Sequence, residues 1–212
     1  MSTPKTTFYE NQAATIIKNL AKRNMEGHYC PDAASAVQLA LSLMPEGSVI
    51  SWGGSMTLGE IGLMDALKEH PYTLIDRATA QTPEERREIY ARTVMADYYL
   101  MSTNAITLDG QLVNIDGTGN RVACLIHGPS HVLILAGMNK VCPDVESAIK
   151  RVKNCATPPN TVRLNCKTPC AITGICGDCL SPETICCQEV ITRYSKVPGR
   201  ITVILIGETY GY

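Results

Sequence analysis

The chain has no long hydrophobic run. Its apolar stretches, such as residues 132–136 and 201–206, are strand length, far short of the roughly 20 residues that cross a bilayer as a helix, so no membrane span is expected. Charge of one sign is missing too: 19 Lys and Arg stand against 20 Asp and Glu, a formal charge of −1. That balance holds neither nucleic acid nor an anionic membrane by bulk attraction, so any anion site has to be built locally. Residues 1–10 are polar, with no apolar segment followed by small residues. A secretory leader is therefore not expected, and the cytoplasm is the default location. Charged residues make up 18%, below the usual ~25%. Hydrophobic residues reach 45%, enough for a sizeable core. No repeat or low-complexity linker divides the 212 residues, which predicts a single domain over 1–212 at about 150 residues per domain.

Cysteine is what the sequence has in excess. Of ten, only Cys30, Cys124 and Cys142 precede residue 155, and the other seven fall between 155 and 187. Disulfide-stapled secreted domains spread cysteines through a short chain with little core, so local metal or redox chemistry is the better reading. Cys30 and Cys142 read as packing residues.

Helical and strand patterns alternate along the chain. Ala13, Ile16, Ile17 and Leu20 predict a helix over about 5–25, and a second opens at Pro31-Asp32 and ends at Pro45-Glu46-Gly47. Residues 48–52 form an apolar strand that runs into Gly53-Gly54-Ser55 and a helix carrying Ile61, Met64 and Leu67. A strand over 72–75 precedes Thr82-Pro83-Glu84-Glu85, a capping-box start for a helix to about 95. Segments 97–108 and 111–115 flank Asp109-Gly110 as a hairpin. A short helix over 120–127, a strand over 131–136 and a helix from Pro143 follow. Beyond Asn154, prolines interrupt a segment without periodicity, and 201–206 returns the chain to the sheet. The prediction is an α/β fold, mostly parallel with a β-hairpin and helices on both faces, with residues 155–190 inserted as a metal-type loop before the last strand.

Gly53-Gly54-Ser55-Met56-Thr57 sits where a strand feeds a helix. Glycines let the backbone approach a ligand, and Ser55 and Thr57 add hydroxyls, so the turn suits a carboxylate or phosphate; a plain tight turn has the same sequence. A richer cluster joins Asn104 to Asn114, Asp116, Gly117, Thr118, Gly119, Asn120 and Arg121. It lies at a strand end and helix start, where open α/β sheets bind ligands. Arg121 could grip an anion in a bidentate fork, and Asp116 could accept a proton or orient a substrate hydroxyl, with Asn104 beside it. The bland alternative is a hairpin and helix cap in which Asp116 and Arg121 serve only each other and the backbone. Cys124, three residues after Arg121, is a thiolate candidate or a buried small residue, and His127 and His131 flank Gly128-Pro129 as surface or capping groups.

The cysteine-rich segment gives Cys170, Cys176, Cys179 and Cys186 as C-x5-C-x2-C-x6-C. Thiolates select zinc or iron–sulfur clusters over hard cations. Structural zinc favours paired C-x-x-C hairpins, and only Cys176 and Cys179 have that spacing. Four cysteines in one irregular loop suit a [4Fe-4S] cluster somewhat better, although they match no ferredoxin run. Cys155, Cys166 and Cys187 are substitute ligands, and reduced thiols or a redox C-x-x-C dithiol are the plainer alternatives.

The Gly53-Gly54-Ser55 turn, Asn104, Leu112-Val-Asn-Ile-Asp-Gly-Thr-Gly-Asn-Arg121, His131-Val-Leu-Ile-Leu-Ala-Gly137 and Pro143-Asp-Val-Glu-Ser-Ala148 resemble the LUD domain, the family of lactate utilisation protein C. The resemblance runs from about Phe8 to Tyr212, and its most specific element is Asp116-Gly-Thr-Gly-Asn-Arg121. It implies an open Rossmann-like sheet of the ribose-5-phosphate isomerase and CoA-transferase type, with an anion cleft above the strand ends. It also implies oxidation of L-lactate to pyruvate together with partner proteins that resemble iron–sulfur oxidoreductase subunits. The cysteine-rich segment departs from a minimal LUD domain. Gly117-Thr-Gly-Asn-Arg121 lacks the third glycine of a dinucleotide fingerprint, so electrons are expected to leave through a partner. The reading is thus a redox protein, an oxidoreductase component acting on a small 2-hydroxy acid. The rival is a non-redox module for a small anion or CoA-like ligand with a structural zinc.

Overall fold

The computed structural model describes residues 3–212. Its first helix, α1 (Pro4–Lys22), is capped by Thr3 and followed by β1 (Glu26–Cys30). The Asp32 carboxylate accepts from Ser35 N at 2.8 Å and starts α2 (Ala33–Ser42). Next come β2 (Val49–Trp52), α3 (Met56–Glu60), α4 (Leu63–Ala66), β3 (Thr73–Ile75) and α5 (Pro83–Val94), the last opened by the predicted Thr82–Glu85 capping box. The middle of the chain is β4 (Tyr98–Met101), β5 (Ala105–Thr107), β6 (Leu112–Asp116), α6 (Asn120–Ile126) and β7 (His131–Gly137). After β8 (Val141–Cys142), α7 (Val145–Arg151) runs through a π-helical turn (Val152–Ala156) into α8 (Thr157–Arg163). The chain then forms α9 (Pro169–Thr173), β9 (Gln188–Thr192) and β10 (Ile201–Ile206).

Six strands make a parallel sheet in the order β1-β10-β7-β4-β2-β3. Successive residues of a strand point to opposite faces, and both faces are covered. Tyr99, Met101, Ile134 and Val203 pack under Ile16 and Leu20 of α1, while Leu100, Leu135 and Ile204 pack against Ala36 and Ala40 of α2 and Leu63 of α4. Helices on both faces therefore follow from apolar residues at consecutive strand positions.

A second sheet, in the order β8-β5-β6-β9, corrects part of the sequence reading. Segment 97–108 is not one strand: β4 belongs to the large sheet and β5 to the small one, with Ser102, Thr103 and Asn104 at the crossing. The hairpin itself stands, with β5 antiparallel to β6 around Asp109-Gly110. Residues 155–190 are also more regular than expected. Pro158 and Pro159 lie in the first turn of α8, directly after the π-helical turn, and Pro169 opens α9, where a missing N–H breaks no helical bond. Val152 and Ala156 of the π-helical turn pack with Val113 and Ile115, laying this segment on the small sheet.

Candidate functional site

The carboxyl ends of the parallel strands release the loops that line a cleft, the usual ligand position in open α/β sheets. Gly54 and Ser55 follow β2, Arg77 follows β3, Asn104 follows β4 and Lys140 follows β7, while Asp116 to Arg121 link β6 to α6. Asn160 and Arg163 of α8 form the opposite wall. The cleft has a lobe of about 260 Å³ and another of about 100 Å³, both bordered by Gly54, Asn104, Ile115, Arg121, Asn160 and Arg163. Three guanidiniums, Arg77, Arg121 and Arg163, face one carboxylate, Asp116. A nearly neutral chain thus concentrates positive charge in one place.

Arg121 is the organising group. Its Nε pairs with Asp116 Oδ2 at 3.2 Å, Nη1 donates to Asn114 Oδ1 at 2.5 Å, and Nη2 donates to Asn104 Oδ1 at 3.0 Å and to the Ile115 carbonyl at 2.8 Å. Four of its five N–H groups are therefore spent on the protein. The bidentate fork expected to grip an anion is turned inward, and Arg121 offers the cleft its charge and one remaining donor. Burial pulls its pKa below the ordinary arginine value, and Asp116 acts in the opposite direction. Asp116 also accepts from Gly119 N at 2.9 Å, so it is a buried anchor for the loop and the guanidinium.

The other predicted residues take distinct places. Asn104 lines both lobes; its oxygen also accepts from Ile115 N at 3.0 Å, and its amide nitrogen has no protein partner among the described residues. Asn114 is fully buried behind Arg121, with its Nδ2 unpartnered. Thr118 donates to Asn120 Oδ1 at 2.5 Å, and Gly119 takes a left-handed φ of +83° that glycine adopts at no steric cost. Ser55 caps α3, accepting from Leu58 N at 3.4 Å, and borders the smaller lobe. Thr57 corrects the expectation of a free hydroxyl donor: it is buried and holds Lys140. The glycines matter for reach. A Cβ at Gly53 would stand 3.1 Å from Arg121 Cδ, and one at Gly54 only 2.5 Å from Arg77 Nη2.

Arg77, Lys140 and Arg163 escaped the sequence reading. Each stands alone in its segment without a motif, and only the fold gathers them. Cys124, by contrast, is buried in the core, and burial pushes its thiol up to about 11, so no reactive thiolate forms beside Arg121. His127 and His131 are exposed, with His131 stacked on Tyr98.

Cys170, Cys176, Cys179 and Cys186 line one cavity of about 240 Å³. Burial raises the Cys186 pKa, and its neighbours Cys176, Cys170 and Cys179 raise it further, against a lowering by Thr157. Polar groups address the sulfurs: Thr161 and Thr168 lie 3.5 and 3.3 Å from Cys170 Sγ, and Asp178 N donates to Cys176 Sγ at 3.5 Å. Lys153 straps the loop down through Asp178 at 2.9 Å and Glu189 at 3.0 Å. Cys155, Cys166 and Cys187 are not among the residues lining this cavity. Among the described residues, no three His, Cys, Asp or Glu side chains converge on a single ion position. Thr157 and Ile185 line both this cavity and the larger lobe of the cleft, and Ile185 lies against Gly117.

An open parallel sheet with a cationic cleft at its strand ends defines a Rossmann-like α/β protein. Within that class, the LUD-domain model matches residues 13–206, and the chain belongs to the LUD-domain family, which points to a function related to lactate utilisation. No curated protein matches the sequence. Among solved structures, a DUF162-family protein from Deinococcus radiodurans aligns at 11% identity, covering 93% of this chain and 98% of that one with a TM-score of 0.54. At that identity the likeness is one of fold. The eIF2B delta subunit from Chaetomium thermophilum aligns at 15% identity, over 68% of this chain and 54% of its own, with a TM-score of 0.38. None of the helices is long and apolar enough to cross a membrane, among the described residues.

Proposed function

We propose that the protein serves the oxidation of a small 2-hydroxy acid such as lactate, binding the acid in the cationic cleft and holding a [4Fe-4S] cluster on Cys170, Cys176, Cys179 and Cys186. The observation that carries this reading is the shared wall, Thr157 and Ile185, between the cleft and the four-thiol cavity. A substrate site and a sulfur-lined site built back to back suit transfer of electrons between them.

What supports such a cluster is the chemistry of the donor set, four thiols on one cavity. A single zinc needs its sulfurs drawn to about 2.3 Å from one point. These four thiols line one cavity, and in a cluster each thiolate would bind its own iron. When bound, the cluster supplies one-electron transfer. The chain's own residues do the remaining work: Arg77 and Arg163 attract the carboxylate, Asn104 presents its amide, and Asp116 holds Arg121 in place. Hydroxyl and amide groups at Thr157, Thr161, Thr168 and Asp178 orient the thiols and tune the charge they carry.

Converting a 2-hydroxy acid to a 2-oxo acid releases two electrons and two protons. The two protons pass to solvent and the two electrons leave one at a time to an electron-carrying partner protein, which is reduced; exposed Ile172, Ile175 and Leu180 give the cysteine loop apolar surface beside the thiols for that contact. A soluble dye acceptor replaces the partner in the test. Anaerobically prepared protein is expected to reduce the dye in an L-lactate-dependent manner, and Cys179→Ser to lose that activity. Cluster-loaded protein that reduces no dye with L-lactate or other small 2-hydroxy acids contradicts the reading.

A further inference from the structure

Lys140 is buried, at 4% exposure, and has no carboxylate within ion-pair distance among the described residues. Its Nζ donates to Thr57 Oγ1 and Ser102 Oγ, each at 3.0 Å. Both hydroxyls pass their own hydrogen onward, Thr57 to the Tyr210 carbonyl at 3.4 Å and Ser102 to the Thr103 carbonyl at 3.3 Å. Each oxygen must therefore accept from the lysine. Two N–H bonds are fixed in this way, and one tetrahedral position of the nitrogen is left over.

Lys140 lines the smaller lobe, together with Ser55, Asn104 and Arg121. Its volume of about 100 Å³ is that of roughly three waters at ~30 Å³ each, room for the head of a small acid and too little for a nucleotide. Arg121 has spent four donors elsewhere and Arg163 turns its Nε and Nη2 onto Asn160, so the lysine is the deeply buried basic group there that keeps a free valence. We propose that the substrate's carboxylate sits in this lobe against Lys140, and that its binding is coupled to uptake of a proton by that lysine.

The electrostatics explain why a proton moves. Burial, with Arg151 and Arg121 nearby, pushes the amine down to about 7, and Glu60 acts weakly the other way. Arg163 from α8, and Tyr210 and Tyr212 from the C-terminal segment, also face this region, and Cys142 Sγ lies 3.9 Å from the Lys140 carbonyl. In the empty lobe at pH 8 the amine is mostly neutral. A carboxylate arriving at hydrogen-bond distance favours the ammonium, so the nitrogen lone pair takes a proton from solvent and no electrons move. This inference rests on the cleft being an anion site, as in the function proposed above, and does not depend on the cluster.

The test is calorimetric titration with L-lactate at pH 8 in two buffers of different ionisation enthalpy, which counts protons. Wild type is expected to take up between half and one proton per lactate, and Lys140→Met none. Raising the pH above 7 should weaken wild-type binding by up to about tenfold per unit and leave Lys140→Met flat. Should that variant fold poorly, Ser102→Ala removes one acceptor and should displace the wild-type pH profile. Wild-type binding without proton uptake, or a Ser102→Ala profile superimposed on wild type, overturns the role of Lys140 and leaves the anion cleft standing. No binding of lactate, pyruvate or inorganic phosphate at any pH overturns the cleft reading as well.

Discussion

The Cys186 thiol donates to the Thr157 hydroxyl at 3.7 Å, and Thr157 is at the same time a wall of the anion cleft. One hydroxyl therefore touches both halves of the proposed site. Once Cys186 is a thiolate, the same hydroxyl can donate to it, and hydrogen bonds to cluster sulfurs help set reduction potential. Thr157→Val keeps the shape and removes the donor. The expected result is a cluster retained in full with a more negative potential, read by spectroelectrochemistry.

Arg77 and Arg121 should separate binding from folding. Arg121 is 13% exposed and Asp116 8%, so Arg121→Ala leaves a carboxylate buried without its partner. The expected loss is about 3–5 kcal/mol of stability by denaturant titration. Arg77 borders the cleft without a side-chain hydrogen bond among those described. Arg77→Ala should keep the unfolding midpoint and weaken binding of a small carboxylate by up to about 1 kcal/mol, measured by calorimetry, because Arg77 lines only the larger lobe and acts on a carboxylate beside Lys140 through its charge.

Lys140 also predicts a pH dependence of stability. Its pKa in the folded protein, about 7, lies below the ordinary lysine value of 10.5. Between those values the unfolded chain binds more protons than the native one, so stability rises with pH across that window. Wild type should gain stability relative to Lys140→Met from pH 7 towards pH 10, in paired denaturant titrations. A difference that stays constant across the window contradicts a depressed lysine.

The cysteines divide into two groups with opposite expected behaviour. Alanine at Cys170, Cys176, Cys179 or Cys186 should reduce bound iron to a small fraction of wild type. Alanine at Cys155 or Cys187, both exposed and absent from the cavity lining, should leave the iron content unchanged. Iron analysis of the purified variants reads both.

Much of the fold is written in local sequence. Thr82 caps the helix that its spacing predicts, Asp32 and Asp144 cap helices that begin two residues after the expected Pro31 and Pro143, and the apolar residues of β7 and β10 make the centre of the sheet. The edges were harder to see. β1 is Glu-Gly-His-Tyr-Cys and β9 is Gln-Glu-Val-Ile-Thr, and both lie at sheet edges with little burial to impose a pattern. The cavity linings were legible where residues cluster in sequence, in Asp116 to Arg121 along the cleft and in the four cysteines around the second cavity. It was illegible where single residues meet through the fold, as Arg77, Lys140 and Arg163 do. Spacing also could not show that Arg121 turns its fork onto Asn104 and Asn114, because that depends on how β6 lies beside the chain leaving β4.

The proposed function depends on four thiols sharing one iron–sulfur centre next to the cleft. Purification without oxygen, followed by iron, zinc and acid-labile sulfide analysis, tests it most directly. The expected result is a brown protein with about four irons and four sulfides per chain. A colourless protein with one zinc and no sulfide would contradict it.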